Sequence, residues 1–126
     1  MDTDIRALVT MAQAYFDAAY DMDADRFASI FHPASSVSSL TRVGGDIHVS
    51  VTPIETWLGA VRTMKAPRQL GLERRDEILS IDVARELAVV KLKLQVPPRY
   101  FTDLLSCVKV HETWAIVQKV TSVDSR

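Results

Sequence analysis

The chain has 126 residues, of which 48% are apolar and 25% charged, with a net charge of -1. That length suffices for one domain with a real core, without disulfide or metal staples. The balanced charge offers nothing to nucleic acid or to an anionic membrane surface, so neither is expected as a partner.

No apolar run approaches the ~20 residues that span a bilayer. The opening Met1-Asp-Thr-Asp4 lacks the basic and apolar regions of a secretion signal. Cys107 is the single cysteine, which excludes an internal disulfide and suits a reducing, cytoplasmic setting.

In chain order, Ile5, Leu8, Val9, Ala12, Tyr15, Phe16, Ala19 and Tyr20 recur at helical spacing. Asp2, Thr3 and Asp4 supply N-cap candidates and favourable charge at the helix start. After a break at Asp21-Met-Asp23, Phe27, Ile30 and Phe31 mark a second helix, which Pro33 should end. His32 is expected at that end, its imidazole meeting terminal carbonyls. From Val37 to Val51 the chain alternates around Gly44-Gly45-Asp46, a hairpin signal. Thr52-Pro-Ile-Glu55 reads as a capping box for a third helix, with Ile54, Trp57, Leu58, Val61 and Met64 as its buried stripe.

Four strands should follow. Leu70 to Val83 is the first, turning at Val83-Ala-Arg-Glu86. In the second, Leu87 to Val96, the residues Val90, Leu92, Leu94 and Val96 share a face. Pro97-Pro98 lack two ladder donors and belong in a connection or at a bulge. Arg99 to Val120 forms the last hairpin. The order of helix, helix, hairpin, helix and four strands predicts an α+β domain over residues 1–126. Its strongly curved, mostly antiparallel sheet should wrap over the three helices and leave a pocket at the open end.

Two segments carry a family resemblance: Tyr15-Phe-Asp-Ala-Ala-Tyr-Asp-Met-Asp-Ala-Asp-Arg-Phe-Ala-Ser-Ile-Phe-His-Pro33, and Tyr100-Phe-Thr-Asp-Leu-Leu-Ser106 running into Trp114-Ala-Ile-Val-Gln-Lys-Val120. The pattern resembles the nuclear transport factor 2-like superfamily, a cone-shaped fold shared with ketosteroid isomerases and SnoaL-type cyclases. The second segment is most similar to the branch labelled putative lumazine-binding. The resemblance covers the whole chain, yet one fold hosts many activities. It implies a homodimer joined through the sheet.

Tyr15 sits where the isomerases place a tyrosine that donates to a developing oxyanion, although a core tyrosine with any nearby acceptor fits equally. Their general base is a carboxylate on the strand after the second helix. The matching position here is Ser39, far too weak a base without an activating partner.

In the last hairpin, a turn around His111-Glu-Thr113 would pair Val110 with Trp114, Val108 with Ile116 and Ser106 with Gln118, all on the inner face. Ser106 and Gln118 would then bond each other or water, or orient a ligand. Asp103, Leu105, Cys107, Lys109, Val117 and Lys119 fall on the outer face. There Asp103 and Lys119 would form a surface ion pair, and the apolar members would support dimerisation. Trp57 and Trp114 are either core or a stacking pair for a flat ligand. His48, in the early hairpin, either lies exposed or faces the pocket mouth and titrates near neutrality. No histidine has a metal-ligand partner at helical spacing, and no nucleotide or hydrolase motif is present, so neither metal nor cofactor is expected.

The leading expectation is therefore a small-molecule-binding protein, with Tyr15, Trp57, Ser106, Trp114 and Gln118 contacting a hydrophobic or flat ligand. One alternative is an isomerase, dehydratase or cyclase on a carbonyl-bearing substrate, with Tyr15 stabilising charge and His48 or Asp103 as base. Another is a non-catalytic interaction module with its cavity filled by side chains.

Overall fold

Leu8, Met11, Ala12, Tyr15, Phe16, Ala18 and Ala19 are all buried along one stripe of the first helix, so its apolar periodicity becomes its docking face. The computed structural model describes residues 2–125. This helix, α1, spans Asp2–Asp21 and is followed by α2 (Ala24–Ile30), β1 (Phe31–Val43), β2 (Asp46–Pro53) and α3 (Ile54–Thr63). Four strands complete the domain: β3 (Arg75–Ala84), β4 (Leu87–Val96), β5 (Arg99–Val110) and β6 (Thr113–Ser125).

The strands form one curved, unclosed sheet in the order β2-β1-β6-β5-β4-β3. All neighbours run antiparallel except β1 and β6, which are parallel. The α+β architecture expected from the sequence is thus present. The helices cover the sheet's inner face, where Ala88, Val90, Leu92, Leu94 and Val96 of β4 are all buried. Pro97 and Pro98 make the two-residue connection between β4 and β5, which pairs Val96 with Arg99.

Several local expectations are corrected. Asp4 lies within α1, and its carboxylate caps nothing. It accepts instead from Lys109 Nζ (2.9 Å) and Trp114 Nε1 (3.1 Å), tying the first helical turn to the last hairpin. Asp23 caps α2 by accepting from the Arg26 amide at 3.1 Å. Phe31 and His32 already belong to β1, where His32 Nδ1 accepts from the Ala34 amide rather than meeting helix carbonyls. At α3 the N-cap is Pro53, and no side chain caps it. The third strand starts at Arg75 instead of Leu70, because Pro67 to Gly71 turns, with Gly71 at φ +65° and the Arg68 amide bonded to the Tyr20 carbonyl.

Candidate functional site

The last hairpin decides which side chains face the helices. Its turn is the two residues His111 and Glu112, both at positive φ, so Val110 pairs with Thr113 and Lys109 with Trp114. This is one residue tighter than the sequence suggested. Farther along, Cys107 pairs with Ile116 but Ser106 with Gln118, leaving Val117 without a partner. Such a bulge breaks simple alternation. Trp114 and Ile116 point inward, and past Val117 the inward residues become Lys119 and Thr121.

The expected faces are therefore reversed along all of β5, where the tighter turn puts Lys109 as well as Cys107 opposite inward residues, and along β6 beyond the bulge. Asp103, Leu105, Cys107 and Lys119 are buried against the helices. Ser106 and Gln118 do face each other, but on the outer side. There Gln118 Oε1 accepts from Ser36 Oγ and Gln118 Nε2 donates to Ser38 Oγ, both at 2.7 Å. The supposed surface pair of Asp103 and Lys119 lies inside, and Leu105 is part of the core. Burial pushes the Cys107 thiol up to about 12, consistent with a core filler.

Two rows cross the inner face. One runs Ser39, Thr121, Asp103, Leu92; the next runs Val37, Lys119, Leu105, Val90. α1 lowers Tyr15 onto the first row. The Tyr15 hydroxyl donates to Asp103 Oδ2 at 2.5 Å, and Thr121 donates to Asp103 Oδ1 at 2.5 Å. Burial, reinforced by the neighbouring carboxylate, holds the Tyr15 hydroxyl well above its usual range, so it stays a donor.

Lys119 sits beside this group. Its Nζ lies 4.4 Å from the Trp57 ring centre and 5.3 Å from that of Tyr15. Burial pulls its pKa below the ordinary lysine value, and the Asp103 charge only partly opposes that. Trp57, carried by α3, packs edge-on against Phe27 at 4.8 Å between centroids. Phe31 completes the aromatic floor.

Tyr15, Phe27, Trp57, Asp103, Lys119 and Thr121 line one end of a cavity of about 700 Å³. Its walls are mainly apolar, including Ala19, Met22, Phe27, Val61, Leu72 and Phe101. Met64, Lys65, Leu70 and Arg99 are exposed and form the rim. A hollow of about 510 Å³ lies beside Arg74, but that guanidinium is already engaged by Asp17 and Asp76. The larger cavity is the candidate site, because buried polar groups converge there on apolar walls.

The structure thus brings together Tyr15, Trp57 and Asp103. It places Ser106 and Gln118 on the outer face and Trp114 at the far end of the core, bonded to Asp4. His48 is exposed on β2. Sequence reasoning missed Lys119 and Thr121 as cavity residues. The signal lay in Pro97-Pro98: counting outward from that turn pairs Leu94 with Phe101, Leu92 with Asp103 and Val90 with Leu105. Since paired residues share a face, the buried β4 stripe carries Asp103 inward.

Solved structures of similar fold cover nearly the whole chain but share little sequence. An NTF2-like protein of unknown function from Silicibacter pomeroyi matches with a TM-score of 0.81 at 18% identity, covering 98% of both chains. One from Shewanella baltica matches at 0.84 and 17%, covering 98% of this chain and 96% of the other. A third, from Methylobacillus flagellatus, matches at 0.79 and 20%, covering 98% and 94%. The fold is therefore that of the nuclear transport factor 2-like superfamily. Within it, residues 3–122 match the family described as Putative lumazine-binding, and the chain belongs to that family. No curated protein matches it. Among the described residues, no helix is long and apolar enough to cross a membrane.

Proposed function

We propose that this protein binds a small, mainly apolar molecule in the 700 Å³ cavity, with Tyr15, Asp103, Thr121 and Lys119 forming the polar end of the site. The observation that carries this reading is the convergence of buried polar side chains on one end of an otherwise apolar hollow. Size and lining both fall in the range of small-molecule sites. Trp57 supplies an aromatic wall, which suits a flat ligand. The lone, buried Cys107 suits a cytoplasmic setting.

A neutral fluorescent probe, N-phenyl-1-naphthylamine, tests the reading. The native protein should bind it, and Met64→Trp should weaken binding by obstructing the rim without lowering the melting temperature. Equal binding by both proteins would place the probe outside the cavity and defeat the proposal.

One observation favours a second, enzymatic reading. Asp103, the one carboxylate among the lining residues, faces the cavity beside Tyr15. Proton transfer on a carbonyl-bearing substrate, as in an isomerase, dehydratase or cyclase, would draw on this pair. Ser39 lines the same cavity but is no substitute for a basic carboxylate. Proton NMR of cyclic enones in deuterated buffer checks this: exchange next to the carbonyl no faster than in buffer removes the enzymatic reading.

Homodimerisation through the outer face of the sheet remains a proposal, but on other residues than the sequence suggested, since Leu105 is buried in the core. Val89, Leu104 and Val120 stand exposed there. Sedimentation equilibrium should show a dimer that Leu104→Glu dissociates; a monomeric native protein ends this proposal.

A further inference from the structure

The ionisable lining of the cavity is lopsided. Lys65, Arg99 and Lys119 face a single carboxylate, Asp103. Asp103 has already committed both oxygens, one to Tyr15 and the other to Thr121. Lys119 is only 8% exposed, yet its ammonium makes no hydrogen bond and no ion pair among the described residues. Its ammonium rests against two aromatic rings, which compensate a desolvated cation only in part. No described side-chain nitrogen or oxygen is both fully enclosed and unpartnered, so the Lys119 ammonium opens onto the cavity, and a hydrogen-bonding partner can reach it only from there.

We propose that the molecule held in the cavity is an apolar monoanion whose carboxylate pairs with Lys119. This rests on the reading of the cavity as a binding site and names the chemical class that the site takes. The carboxylate supplies the acceptor that Lys119 lacks, while the apolar body lies against Trp57, Met22 and Leu72. Lys65 and Arg99, exposed at the rim, attract the same sign of charge from solvent. A cation would meet three like charges. A phosphate would bring about two negative charges to one ammonium, with Asp103 repelling it from the adjacent strand. A carboxylate matches the single donor group. The lowered pKa of free Lys119 is consistent with an ammonium that gains its partner only on binding.

The probes are 2-naphthoate and 2-naphthamide, which share one shape and differ in charge, titrated calorimetrically into native protein and Lys119→Met. Native protein should bind the naphthoate at least about tenfold more tightly, since one satisfied buried charge pair is worth that much or more. Lys119→Met should lose this preference while still binding the amide, which shows that its cavity is intact. Equal affinities in the native protein, or a preference that survives in Lys119→Met, would overturn the inference while leaving the cavity as a binding site. If native protein binds neither probe, both readings fall.

Discussion

Two lysines on the inner face of the last hairpin meet opposite fates. Lys109, near the turn, donates to Asp4 at 2.9 Å and lies 3.7 Å from Glu112. Its hydrogen bond to Asp4 leads in raising its pKa. Lys119, ten residues on, is more deeply buried, has no ion pair among the described residues, and is pulled the other way. The fold can evidently supply a carboxylate to an inward lysine when one is needed to close the structure. At the cavity end the helices bring Tyr15 and Trp57 instead, and the one nearby carboxylate is spent on hydroxyls. The closed end is built for stability, and the open end keeps a group that stability alone would not select.

The largest test of this contrast is Asp103→Leu. It strips Tyr15 and Thr121 of their acceptor and leaves Lys119 without its only negative neighbour. A loss of about 3–5 kcal/mol is expected in urea unfolding, the usual cost of breaking a buried charged network. A loss below about 1 kcal/mol would mean the cluster is wet and weakly coupled.

Alkaline pH separates the two lysines by sign. Lys109 has a raised folded pKa, so its contribution is fully present below the unfolded lysine value and fades as pH rises through the folded one. Lys119 has a lowered folded pKa. Its ionised form is penalised on folding, so stability should rise with pH in the window just below the unfolded lysine value. Melting temperatures of Lys109→Met and Lys119→Met against pH should therefore depart from the native curve in opposite directions. Asp4, lowered first by its bond to Lys109, gives the acid-side control: Asp4→Asn should remove a loss of stability that sets in as pH falls through the carboxylate range. Parallel curves for the two lysine variants would break the comparison.

The smallest effect belongs to the outer face. Gln118→Leu deletes two hydrogen bonds, to Ser36 and Ser38, and should cost about 1 kcal/mol in urea unfolding. Naphthoate affinity should be unchanged, and a weakened affinity would tie Gln118 to the cavity after all.

Much of the fold was legible because periodicity is a strong local signal. The stripe on α1, the β4 alternation and the Gly44-Gly45 turn each named their element. Helix and strand ends were less legible where the competing signals were close, as at Phe31-His-Pro33 and Leu70. The site was only half legible. Tyr15 and Trp57 follow from helical spacing, but Asp103 and Lys119 depend on which turn sets the register. Counting from His111 took the turn one residue too long and the ladder as unbroken, whereas the β4–β5 ladder counted from Pro97-Pro98 is continuous. No local property of Val117 announces that it will be left unpaired, so the exchange of faces between Ile116 and Lys119 comes from the assembled sheet.

That unpaired residue gives β6 one residue of slack. A residue removed from most strands turns everything beyond it inside out. Removing Val117 would instead join Ile116 and Gln118 into a regular ladder and keep every β5 partner in place. The same deletion at Leu104 would swap core for surface along the rest of β5. Length changes in this hairpin are thus absorbed at one position and ruinous at its neighbours, which makes Val117 the place where the strand can shorten while Asp103 and Lys119 stay on the inside.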